Sequence, residues 1–204
     1  MSPPYFDYAI KTSAATTPLT NIIEDFERSS LNNGYGGDTG SASITDTRSI
    51  NGTRSLQITE TNNFSREVIA TTDVSLSSGN TYSAWFWTDS NSVSIVFGAQ
   101  SATNTPDGYH LLITPDDDFI NLHSGWFGTD LFNVSQTLSL NTWYEVVFNW
   151  GSSGSLTVTI NESDGTQVFN ETASDTAYSS GGIAWANRRD DVGGTGYFDY
   201  LTET

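Results

Sequence analysis

Apolar residues along this chain come in short runs rather than at helical spacing. Segments rich in Val, Ile, Thr and aromatic residues recur about every 8 to 12 residues, with Gly, Asn, Asp or Ser between them. The period within a run is two: in 82–87, Tyr82, Ala84 and Phe86 alternate with Ser83, Trp85 and Trp87, so each set faces one side of a strand. The clearest hairpin pairs Leu156–Ile160 with Thr166–Phe169 around Asp164-Gly165, a dipeptide that tolerates the tight turn joining antiparallel strands. This pattern predicts strands at 22–28, 42–46, 54–60, 66–74, 81–88, 93–100, 108–114, 119–124, 130–138, 142–150, 155–161, 166–172, 181–187 and 196–202. Helix signals are nearly absent, and no internal repeat is evident. The expected fold is an all-β sandwich or barrel.

Residues 1–21 stand outside this pattern. They are rich in Pro, Thr and Ala, with an aromatic and aliphatic cluster at Tyr5, Phe6, Tyr8 and Ile10, and they read as an N-terminal arm ahead of a domain at 22–204. The alternative is that the arm packs back on its own sandwich as an extra edge strand. At 204 residues the chain is long enough to bury about 70% of its unfolded surface in one core.

Composition narrows the setting. Twenty-four acidic residues against seven basic ones leave a formal charge of −17. Such self-repulsion weakens a compact state in dilute buffer, whereas at about 1 M salt the screening length falls to about 3 Å. High salt is the expected solvent; an acidic surface for a cationic partner is the competing reading, and the acids are scattered rather than blocked. Asp116, Asp117 and Asp118 follow Pro115 and read as a hairpin turn. Nucleic-acid binding is not expected, because a phosphate backbone needs a basic face. There is no cysteine, hence no disulfide framework. The first residues lack a secretion signal and no apolar run approaches the ~20 residues of a membrane span, so the chain is expected to be made and kept soluble.

Candidate chemistry gathers at a few side chains. Trp85 and Trp87 share the strand face opposite Tyr82, Ala84 and Phe86, where an indole can stack on the apolar face of a sugar ring; cover by loops or another subunit is the alternative. His110 and His123 are the only histidines, and the hairpin near Asp116 sets their strands side by side. With Tyr109, Leu111 and Ile113 inward, His110 points outward, expected near the tryptophan face as a polar pair for a ligand, a two-histidine metal site without an evident third ligand, or ordinary surface residues. Trp126 and the Arg188-Arg189 loop are the next candidates, the guanidinium fork being suited to acidic sugars.

The closing segment carries a resemblance. Gly181–Asn187, then Arg188-Arg189-Asp190-Asp191 and a glycine turn into Tyr197-Phe198-Asp199-Tyr200-Leu201, together with Ile23–Glu27, Gly37–Gly40 and Asn141–Trp150, resembles concanavalin A-like and carbohydrate-binding-module-like jelly-roll domains, of the kind found in haloarchaeal surface and haloarchaeal virus proteins. The resemblance spans roughly 22–202 and rests on the order of the pieces. It implies a jelly-roll β-sandwich of two antiparallel sheets and a structural calcium held by acids of the first and last strands, Glu27 and Asp199, with Asp25 in reserve. Solvated acids are the alternative for those three. The implied role is a non-enzymatic virion surface protein, a head decoration or a fibre or spike, that binds host-surface glycans. Its partners would be other virion structural proteins, docked through the arm, and further copies of the same chain, a trimer being one arrangement. A haloarchaeal cell-surface adhesion module is the alternative, and a degenerate glycan-cleaving enzyme the third reading. Catalysis is not expected: Glu24-Asp25-Phe26-Glu27 matches neither the Glu-x-Asp-x-x-Glu nor the Glu-x-Asp-x-Glu spacing of jelly-roll glucanases, and the Arg-x-Glu-x-Arg and Gln-x-His strands of polysaccharide lyases are missing.

The charge imbalance makes a direct prediction. The melting temperature should fall as salt is lowered below roughly 0.5 M, where carboxylate repulsion is less screened; a midpoint constant from dilute buffer to several molar salt would refute the halophile reading.

Overall fold

The computed structural model describes residues 21–31, 34–60, 66–89, 92–188 and 194–204. The expected arm with Tyr5, Phe6, Tyr8 and Ile10 lies outside the described residues apart from Asn21, as does Arg189; Arg188 is described in its backbone alone.

Fifteen strands are described: β1 (Asn21–Glu24), β2 (Tyr35–Gly37), β3 (Ala42–Thr45), β4 (Ser55–Thr59), β5 (Arg66–Ser77), β6 (Asn80–Thr88), β7 (Ser92–Ala99) and β8 (Tyr109–Thr114). The chain continues through β9 (Phe119–Ser124), β10 (Thr129–Ser135), β11 (Tyr144–Trp150), β12 (Ser155–Glu162), β13 (Gln167–Ser174), β14 (Ser180–Arg188) and β15 (Thr195–Glu203). One 3-10 turn at Thr39–Ser41 is the single helical element among the described residues, and no helix there is long and apolar enough to cross a membrane. Two antiparallel sheets face each other. The first runs β13-β12-β11-β6-β15-β4-β3 with β1 also on β15, and the second runs β10-β9-β8-β7-β14-β5-β2. The fold is an all-β jelly-roll sandwich: alternation predicts a sandwich or barrel, and the resemblance implies the jelly roll.

The core lies between the sheets because one face of each strand is apolar. Tyr82, Ala84 and Phe86 of β6 and Tyr144, Val146, Phe148 and Trp150 of β11 point inward, opposed by Val93, Ile95 and Phe97 of β7 and by Ile183 and Trp185 of β14. Phe97 stacks on Phe148 across the interface with centroids 4.4 Å apart.

Two departures from the sequence reading bear on function. The first strand, expected over 22–28, ends at Glu24. Glu24 accepts the Phe26 N–H at 2.8 Å and Asp25 Oδ1 the Glu27 N–H at 3.1 Å, and these local bonds outcompete the ladder and turn Phe26 left-handed at φ 54°. Asp25 and Glu27 therefore do not share a strand face. The second departure is β2, a strand the pattern did not predict because glycine carries no apolar signal. A Cβ on Gly36 would stand 2.1 Å from the Ala102 carbonyl oxygen, so the close approach of the 99–107 loop demands glycine there.

Candidate functional site

The site is built around a fork in β15. On one side this strand pairs with β6; on the other, Thr195–Phe198 pairs with β4, and Leu201–Glu203 pairs with β1. Between those two partners the register breaks, Tyr200 turns left-handed at φ 54°, and Asp199 faces the gap. The 46–54 loop closes it. Asp199 Oδ2 accepts the Ile50 N–H at 3.0 Å and the Asn51 N–H at 3.4 Å, while Glu27 Oε1 accepts Thr53 N–H and Arg54 N–H, each at 2.8 Å, and its Oε2 takes the Thr53 hydroxyl at 2.8 Å.

The two carboxyls experience opposite fields. Glu27 is exposed, and the donors it receives, the Thr53 hydroxyl first and then the two backbone N–H groups, hold its carboxyl below the usual range. Asp199 is 1% exposed. Loss of hydration pushes its carboxyl up to about 7 against the opposing pull of the Ile50, Asn51 and Tyr200 N–H groups, with a further push from the Glu27 charge. Its Oδ1 is buried without a hydrogen-bond partner.

Beside this loop a groove of about 410 Å³ opens on the outer face of the first sheet. Ser83 and Trp85 of β6, Glu145 of β11 and Thr202 of β15 form its floor; Ile50 and Asn51, Ser163 of the β12–β13 turn, Tyr200 and Thr204 form its walls. Strand pairing aligns Asn161, Glu145, Trp85 and Asp199 in one row across four strands. Asn161 Nδ2 donates to Glu145 Oε2 at 3.1 Å, orienting the carboxylate next to the half-buried indole. In the next row the Ser83 and Thr202 hydroxyls meet at 3.0 Å. The arrangement joins two aromatic rings to hydroxyls, an amide and one carboxylate in a cleft.

Trp87 does not join that groove. It is 3% exposed, with the Arg48 guanidinium 4.0 Å from its ring centroid and the Tyr197 edge at 5.3 Å, so its face is already occupied. The histidines lie on the other sheet, not near the tryptophan face, because β8 and β9 belong to the second sheet. There His110 pairs directly with His123, as the hairpin register requires, and their rings stack at 5.3 Å. Trp126 stacks on His110 at 4.5 Å, and Phe127, 42% exposed, meets it edge-on under Arg66. His110 Nδ1 accepts the Phe127 N–H at 3.4 Å, which leaves its Nε2–H to donate to Ser94 Oγ at 2.9 Å. Burial, then the charges of Arg66 and His123, hold His110 far below its ordinary pKa; burial also lowers His123, opposed by Asp130 2.8 Å from its Nδ1. Both rings are neutral at neutral pH and sealed beneath the 124–128 turn. The residues sequence reasoning missed are Arg48, Arg66, Glu145 and Tyr200. Alternation alone marks Glu145 as outward, but its place beside Trp85 depends on a pairing between strands nearly 60 residues apart.

The acids implied as calcium ligands do not form a cage. Among the described residues no group of three or more His, Cys, Asp or Glu side chains is arranged to hold a metal ion. Both Glu27 oxygens and Asp199 Oδ2 accept hydrogen bonds from the 46–54 loop, and Asp25 caps the Glu27 N–H. Hydrogen bonds to the 46–54 loop link the Glu27 and Asp199 carboxyls to one segment.

No family model and no curated protein sequence matches the chain. Solved structures do match in fold. A carbohydrate-binding module of type 66 from Bacillus subtilis superposes with a TM-score of 0.58 at 14% identity, over 84% of this chain and 96% of that one. The metal-free form of lectin I-B4 from Griffonia simplicifolia gives 0.59 at 14% identity, over 91% and 97%. An endo-β-1,4-glucuronan lyase from Trichoderma reesei gives 0.50 at 14% identity, over 91% and 94%. At these identities the likeness is one of fold: the sandwich is that of lectins and carbohydrate-binding modules.

Two outcomes follow from the fork. Asp199 binds its proton more tightly in the folded chain, near pH 7, than at its ordinary pKa of 3.8, so the stability it contributes is full below about pH 4 and is lost as pH rises through about 7. The difference in unfolding free energy between wild type and Asp199→Asn should therefore shift across that window in favour of the variant, measured by urea denaturation at fixed salt; a difference independent of pH would reject the assignment. Millimolar calcium should leave the melting temperature unchanged, whereas a rise would mean that the folded chain binds the ion.

Proposed function

We propose that this protein is a non-enzymatic glycan-binding module that uses the groove floored by Trp85. The carrying observation is the groove: an accessible indole and the Tyr200 ring stand among hydroxyl, amide and carboxylate groups, the mix that stacks on one face of a sugar and hydrogen bonds its edge. The shared sandwich of a lectin and a carbohydrate-binding module supports the same reading.

The setting we propose is an outer surface in strong brine, that of a haloarchaeal virus particle, with other virion proteins and further copies of the chain as partners. The charge of −17 and the resemblance in strand order support it; a haloarchaeal cell surface is the alternative. Calcium has no part in the proposed binding step. A glycan-cleaving role is the second reading, favoured by the lyase likeness and by the row that sets Glu145 and Asp199 on either side of Trp85.

Immobilised glycans of varied composition, probed with the protein in high salt, test the proposal. At least one should bind, and Trp85→Ala should weaken it by about tenfold or more, the worth of one lost stacking anchor, while the melting curve stays that of a folded domain. Trp87→Ala should instead destabilise the fold. Release of unsaturated or reducing ends from a bound polymer would replace the binding reading with the enzymatic one.

A further inference from the structure

The groove's charge defines the class of sugar it takes. Its one ionisable side chain besides the Tyr200 phenol is Glu145, and no Lys or Arg appears among its described lining residues. Glu145 sits directly across from Trp85 on the neighbouring strand, a placement that brings side chains within about 5 Å. One of its oxygens accepts from Asn161, which fixes the carboxylate beside the indole face. A ring held against Trp85 therefore presents its edge to an anchored negative charge.

Building on the glycan reading, we infer that the groove selects sugars carrying a protonated amine, of the hexosamine class, over neutral sugars, and excludes uronic acids. The amine gains twice: a charge-assisted hydrogen bond to the Glu145 carboxylate, and attraction to the electron-rich faces of Trp85 and Tyr200. A uronate would bring its carboxylate against Glu145 with no arginine to bridge the two, and like charges at that range repel. The same argument separates this groove from a site for glucuronan, whose repeating carboxylates need cationic partners that the described lining does not supply.

Isothermal titration at one pH and one salt concentration, with oligomers of equal length of glucosamine, glucose and glucuronic acid, tests the inference. The glucosamine oligomer should bind at least about tenfold more tightly than the glucose oligomer, the worth of one hydrogen bond to a charged group, and the glucuronate oligomer should not bind. Glu145→Gln keeps the hydrogen-bonding shape and should erase the preference while neutral binding persists. Asp117→Asn removes the same charge from the exposed β8–β9 turn of the other sheet and should leave the preference intact. Equal binding of amine and neutral oligomers, preference for the uronate, or a preference that survives Glu145→Gln would overturn the amine inference. If in those cases binding still depends on Trp85, the glycan reading stands; if no oligomer binds at all, the amine inference falls and the panel of varied glycans alone decides the glycan reading.

Discussion

One strand edge in this sandwich serves two partners. β15 pairs with β4 and then with β1 along one edge, and where it passes from one to the other a bulge against β6 breaks the register at Asp199 and Tyr200. The 46–54 loop brings N–H donors and the carboxyls at either side of the gap receive them. Everything distinctive about the first sheet's outer face descends from this: the loop becomes a wall, the turned Tyr200 becomes another, and Trp85 is left between them.

The two outer faces of the sandwich have gone different ways. On the second sheet the 124–128 turn folds back so that Trp126 and Phe127 cap the stacked histidines, and His110 bonds internally to Ser94. On the first sheet Arg48 caps Trp87 in a similar manner, but two residues away on the same face Trp85 has no such cap among the described residues and lines the groove. Two tryptophans on one face of one strand thus differ in role because a single arginine reaches only one of them.

Alternation made the sandwich legible. A period of two and the scarcity of helix signals identify the strands, their inward residues and the β8–β9 and β12–β13 turns, since each is a local property of the chain. The neighbourhood of His110 and His123 was readable for the same reason, a short hairpin setting its strands side by side, though pattern left Leu122 or His123 opposite His110 and the register selects His123. What could not be read is long-range. Nothing in residues 80–88 says that β11 flanks β6 on one side and β15 on the other, so neither the row through Glu145, Trp85 and Asp199 nor the separation of the histidines from the tryptophans onto opposite faces follows from pattern. The end of β1 was hidden for a different reason. Apolar spacing around Phe26 continues past the strand, but short side-chain bonds from Glu24 and Asp25 redirect the backbone, and hydropathy does not register them.

The loop that walls the groove meets Asp199 through its main chain alone. Ile50 and Asn51 reach Asp199 through backbone N–H groups, which any residue but proline supplies, so their side chains are not committed to the anchor. A lineage carrying this fold can therefore exchange the side chain at Ile50 without disturbing the frame beneath, whereas Gly52, left-handed and packed on Glu27, and Thr53, whose hydroxyl Glu27 accepts, belong to that frame. In the proposed glycan-binding role, a change at this one wall alters what the groove meets while the sandwich stays the same.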